Sequence, residues 1–177
     1  MTSNEAPAFA EFVAQLMERS HRRMLQAVDG LSNAQLHHRP TRGVNSIAWL
    51  VWHLSRWKDT STATVTGRQS TWLHDGWPAR FGLPDDATGY GDMPEQVAAF
   101  RASRETLLGY ATAAHEAAME RVAAMTPEVL ARPFQYRPSD PVRPAWRAML
   151  TNVVDFTEHT GQILYLRGML TGPDWMK

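Results

Sequence analysis

Apolar residues recur at steps of three and four along four separate stretches of the chain, and each stretch predicts a long helix. In the first, over residues 8–29, Phe9, Phe12, Val13, Leu16, Met17, Met24, Leu25 and Val28 form one stripe, with Glu11, Glu18, Arg19 and Arg22 between them and Gly30 at the end. Ser32 and Gln35 have capping-box spacing, which predicts a short turn through Leu36 closed by Arg39-Pro40. The second helix takes Asn45 or Ser46 as its cap. It runs through Ile47, Trp49, Leu50, Trp52, His53, Leu54 and Trp57 to about Thr66, apolar around much of its circumference, and Gly67 stops it.

Gly76, Gly82, Pro84, Gly89 and Gly91 then mark an irregular stretch lasting until Asp92. A connection of that length in one domain usually serves function or forms a lid. Asp92, Pro94 and Glu95 predict the start of a third helix, and Val97, Phe100, Leu107, Leu108, Ala111, Ala114, Ala118 and Val122 carry its pattern to about Ala124. A second capped turn, Thr126 to Leu130, echoes the first, and each is followed by an Arg-Pro pair, a hint of a duplicated helix hairpin. Beyond a connector with Pro138, Pro141 and Pro144, the fourth helix spans about 145–170 and stops at Gly172-Pro173. With no alternating strand pattern, the expected fold is all-α: one domain over residues 1–177, a four-helix bundle with long crossover loops.

Composition narrows the partners. Lys and Arg total 18 against 18 Asp and Glu, so no net field draws the chain to a nucleic acid or an anionic membrane. Cysteine is absent, which removes disulfides, thiolate ligands and a thiol nucleophile of the protein's own. The first nine residues lack the basic and apolar blocks of a secretory signal, and no apolar run approaches the ~20 residues that span a bilayer. A cytoplasmic location is the expectation.

The candidate chemistry lies on the second and fourth helices. Asn152, Asp155, His159 and Gln162 fall at steps of three and four and line one polar stripe, flanked by apolar Val153, Phe156, Ile163 and Leu166. Burying Asp155 and His159 without partners costs on the order of several kcal/mol. A divalent cation meets that cost, and so does a hydrogen-bonded polar network. His53, on an aromatic face one turn after Trp49 and one turn before Trp57, is either the third ligand or a core histidine bonded to a carbonyl. His37, His38 and His74 read as solvated, and His115 as a surface residue or a neighbour of the cavity. Trp72, Trp77 and Phe81 of the irregular stretch are expected to roof the pocket; Trp49, Trp57, Trp72 and Trp77 are the candidate walls for a bound small molecule.

The order of these features resembles the DinB/YfiT-like superfamily of metal-binding four-helix bundles. The resemblance rests on Asn45-Ser46-Ile47-Ala48-Trp49-Leu50-Val51-Trp52-His53-Leu54, on Gly76-Trp77 through Phe81-Gly82-Leu83, and on Asp155 through His159-Thr160-Gly161-Gln162-Ile163. It implies a ligand histidine on the second helix and a His-x-x-x-His pair on the fourth, which fall here on His53, Asp155 and His159, with aspartate in place of the first of the pair. Two imidazoles and a carboxylate suit zinc, nickel, manganese or ferrous iron. Relatives of this kind include thiol-dependent S-transferases and mycothiol-dependent maleylpyruvate isomerases. The resemblance therefore implies a low-molecular-weight thiol such as mycothiol or bacillithiol, a small-molecule electrophile, and a homodimer.

Three functions follow as expectations. The first is a metal-dependent S-transferase or related transferase or hydrolase, with Asn152, Glu158, Gln162 and Arg56 as candidate helpers. The second is a bundle that binds or senses a small molecule without turning it over, metal-loaded or not. The third is a purely structural polar core.

Overall fold

Gly67 adopts the left-handed conformation (φ 70°) at the end of the second long helix, as its place after Thr66 predicts. The computed structural model describes residues 5–176, so the first four residues of the stretch read for a targeting signal lie outside the described residues. In chain order the helices are α1 (Glu5–Val28), α2 (Asn33–His37), α3 (Ile47–Thr66), α4 (Thr71–His74), α5 (Trp77–Phe81), α6 (Pro94–Ala99), α7 (Arg104–Ala123), α8 (Pro127–Ala131) and α9 (Ala145–Thr171). Each of α1 and α3 packs on both α7 and α9, so the order around the bundle is α1, α7, α3, α9. The two capped turns recur at matching places. Ser32 caps α2 between α1 and α3, and Thr126 caps α8 between α7 and α9.

Three features differ from the sequence pattern. The expected third helix is broken: α6 ends at Ala99, and α7 begins only after Ser103, whose side chain accepts from the Thr106 N–H. Phe100 turns into the core against Trp52 (ring centroids 5.1 Å), Arg101 donates to the Ala98 and Phe100 carbonyls, and the Ala102 N–H donates to His37 Nε2. Apolar residues on both sides of the break face one core, so the 3.6 period runs through it unseen. His37 is thereby a clip rather than a solvated side chain. The stretch 67–92 holds two short helices, and the proline connector closes a two-residue antiparallel pair, β1 (Pro133–Phe134) with β2 (Arg143–Pro144).

Because α3 is enclosed on most sides, its polar residues must be partnered inside the protein. Asp59 is fully buried and accepts from the backbone N–H groups of Thr71 and Trp72, from the Tyr110 hydroxyl and from Arg121. That network pins α4 and α7 to α3; breaking a buried pair of this kind costs roughly 3–5 kcal/mol. Lys58, also buried, lies 3.4 Å from His115 Nδ1, while His115 Nε2 lies 2.9 Å from Glu18 on α1. A lysine ammonium only donates, so Nδ1 accepts and His115 presents its Nε2–H to Glu18. Burial pulls the Lys58 ammonium from 10.5 to about 8.

His21 stacks on His115 at 4.0 Å, and its Nδ1 is buried without a partner. Burial, then the charges of Lys58 and His115, lower its pKa from 6.5 to about 3. Between those values the unfolded chain binds a proton that the native state refuses, so stability falls as the pH drops from 6.5 toward 3. Urea unfolding across that window should show the loss, and His21→Phe, which keeps the stacked ring and removes the titration, should show less of it. Parallel pH profiles for the two proteins would contradict the assignment.

Candidate metal centre

His53 reaches the site from the middle of α3, while Asp155 and His159 lie one turn apart on α9, so the α3–α9 packing itself brings the three together. Each offers one ligand atom, and these atoms lie within 4.8 Å of one another. Asp155 Oδ1 is 3.5 Å from His159 Nε2 and 4.0 Å from His53 Nε2, and the two imidazoles meet edge to face at 5.0 Å. Ligands about 2.1 Å from a tetrahedral ion stand about 3.4 Å apart. His159 and Asp155 already have that separation, and His53 stands a little wider.

Hydrogen bonds on the far side of each ring decide which nitrogen is free. His53 Nδ1 lies 2.5 Å from the Thr88 carbonyl, which can only accept, so Nδ1 carries the hydrogen and Nε2 keeps its lone pair. His159 Nδ1 donates to Gln162 Oε1 at 2.9 Å, leaving its Nε2 free as well. Both Nε2 atoms therefore face Asp155 Oδ1, an arrangement favoured by a cation between them, whether a metal ion or a proton on His159. Asp155 Oδ2 is buried with no hydrogen-bond partner, an orphan that a metal ion would satisfy. The donor set fits a divalent ion.

Electrostatics agree with this view. Burial lowers the pKa of His53, outweighing the bond to Thr88 and the attraction of Asp155. For His159, burial also acts downward but is overcome by Asp155 and Gln162, so the net shift is upward.

The remaining candidates divide by position. Trp49 stacks on His53 at 4.6 Å, and Trp57, two turns beyond Trp49, stacks on Tyr136 at 4.9 Å. Trp72 and Trp77 lie within the core, both packed on Phe81 and Tyr110, with Trp72 also on Trp52. Arg56 turns to the core, where it lies over the Trp72 ring and donates to the Ala87 carbonyl. Glu158 faces solvent. Asn152 is fully buried and donates to Ser61, while its Oδ1 and the Trp57 Nε1 find no partner.

Two cavities flank the cluster along α9. One, of about 210 Å³, is lined by Tyr136, Arg137, Arg143, Arg147 and Thr151, the last one turn before Asp155. The other, of about 430 Å³, is walled by Val44, Leu50, Tyr165, Leu166 and Met169, with Gln162 at its edge. Sequence reasoning missed Thr88, Gly89 and Tyr136. The only local signal for the first two was the alternation of glycines in Gly89-Tyr90-Gly91.

The model of the DinB superfamily matches residues 16–163. A solved structure of a conserved protein from Enterococcus faecalis superposes with a TM-score of 0.81 at 22% identity, covering 92% of this chain and 97% of that one. At that identity the likeness concerns the fold. No curated protein matches the chain.

Elemental analysis after gentle purification should find one divalent metal per chain, and His159→Ala should lose it. Equal metal content in the two proteins would remove His159 from the ligand set.

Proposed function

Because the chain belongs to the DinB superfamily, we propose that His53, Asp155 and His159 hold a divalent ion at the centre of a thiol-dependent S-transferase. The observation that supports the metal is the convergence of Asp155 Oδ1 with the Nε2 atoms of His53 and His159, beside a second carboxylate oxygen, Oδ2, that is buried without a partner. Zinc, nickel, manganese and ferrous iron all suit two imidazoles and a carboxylate. An ion held by three protein groups keeps an open position, where as a Lewis acid it lowers the pKa of a thiol or water.

The chain's own groups supply the rest. Thr88 and Gln162 hold the two imidazoles in the tautomer that leaves Nε2 free. Arg137, Arg143 and Arg147 make the smaller cavity suited to the carboxylates or other anionic groups of a low-molecular-weight thiol such as mycothiol or bacillithiol. The larger, mostly apolar cavity on the other side suits the carbon skeleton of an electrophile. A centre between a basic and an apolar cavity favours two substrates over one. The absence of cysteine is consistent with a borrowed thiol. Among the described residues no helix is long and apolar enough to cross a membrane. In this reading the protein works in the cytoplasm, where thiols are kept reduced.

Metal-loaded protein, mixed with an epoxide or aryl halide and with mycothiol, bacillithiol or glutathione in turn, should consume the electrophile at a rate that chelation abolishes. Tight binding of the electrophile with no turnover under any thiol would favour the binding or sensing reading instead.

Val154, Tyr165 and Met169 are exposed on α9, and we read this face as the contact of a homodimer. Sedimentation should give twice the chain mass of 19.9 kDa; the single-chain mass at micromolar concentration would remove this part of the proposal.

A further inference from the structure

The irregular segment 85–92 is tied down by four side chains at successive points. Trp72 Nε1 donates to the Asp85 carbonyl (2.9 Å), Arg56 Nε to the Ala87 carbonyl (2.8 Å), His53 Nδ1 to the Thr88 carbonyl (2.5 Å) and Trp49 Nε1 to the Asp92 carboxylate (3.1 Å). Trp49, His53 and Arg56 lie at steps of four and three, so one stripe of α3 binds the segment along its length. His53 sits in the middle of that row.

The segment also sets where the His53 ring can lie. Gly89 has φ +81°, and a Cβ placed on it would stand 2.8 Å from His53 Nδ1, 2.8 Å from the Trp49 ring and 2.9 Å from the Trp52 ring. Backbone therefore presses directly on the imidazole edge, while Trp49 covers its face. Gly91 is the natural comparison. It has φ +79°, but a Cβ placed there would meet nothing within 4 Å, so it shares the left-handed backbone without the contact.

We infer that segment 85–92 is the positioning element of His53: the Thr88 carbonyl selects the tautomer, and the space left by Gly89 selects the pose of the ring. Thr88 and Gly89 lie outside the group of His53, Asp155 and His159. They act through the imidazole, whose Nε2 they aim at Asp155 and His159. This inference rests on reading His53 as a metal ligand, but its first test does not need metal.

In metal-free wild-type protein, two-bond nitrogen–proton correlation spectra should show His53 with its hydrogen on Nδ1 and a bare Nε2. Finding the hydrogen on Nε2 would overturn the inference, whether or not any variant folds. Zinc affinity, measured by competition with a chromophoric chelator, should then fall about 10- to 100-fold in Gly89→Ala relative to Gly91→Ala. The same comparison should show the His53 tautomer disturbed only in Gly89→Ala. Both variants carry similar left-handed backbone strain, and only Gly89→Ala adds close contacts with His53, Trp49 and Trp52, so the His53 nitrogen signals rather than stability are the deciding readout. Equal zinc affinities and unchanged His53 signals would sink the positioning role. Absence of zinc binding in wild type would instead sink the metal centre, and the nitrogen spectra would still decide what segment 85–92 does to the ring.

Discussion

A polar group taken out of water must find a partner, and α3 subjects that rule to an unusual load. The helix is buried on most of its circumference, yet it carries His53, Ser55, Arg56, Lys58, Asp59, Ser61 and Thr62 among its buried residues. Most of these recruit their partners from outside the helix. Asp59 gathers Arg121, Tyr110 and the start of α4; Lys58 gathers His115 and, through it, Glu18; Arg56 gathers a loop carbonyl. The bundle is organised by these obligations as much as by its apolar stripes.

At the seam between α3 and α9 a carboxylate oxygen is left with that obligation unmet. Here His53 and His159 are satisfied on their outer edges, while their inner nitrogens converge on Asp155 Oδ1 and the other oxygen, Oδ2, is buried without a partner. The charged side chains Arg56, Lys58 and Asp59 of α3 are closed off by hydrogen bonds, whereas the Trp52 and Trp57 indole N–H groups are not. A structural polar core would be expected to close this seam as it closes the surroundings of Asp59. The donor set of the seam fits a divalent ion.

The long glycine-rich connection has a different role from the lid expected of it. Its aromatic residues Trp72, Trp77 and Phe81 pack inward on Tyr110, adding to the core, and its later part lies across α3 as a tether. Loops without regular structure must still satisfy their carbonyls. Here the donors are indole, guanidinium and imidazole groups of the helices beneath, so satisfying the loop also orients the His53 ring.

The sequence by itself determined the four long helices, most of their ends and the two capped turns, because period, capping residues and glycine stops act within a few residues of where they occur. It also singled out His53, Asp155 and His159, since two inward histidines and an inward carboxylate are costly in an apolar setting. Tertiary structure alone decided the break at Phe100, where both flanking segments are apolar on the same side and only the packing against Trp52 and His37 distinguishes one helix from two. It alone decided that Thr88 and Gly89 meet His53, which lies 35 and 36 positions away in the chain. It also decided that Arg56, one turn from His53, faces the core. Local pattern records what each stretch prefers, whereas which distant groups meet depends on how the stretches pack, and at this site that packing determines which nitrogen is left free.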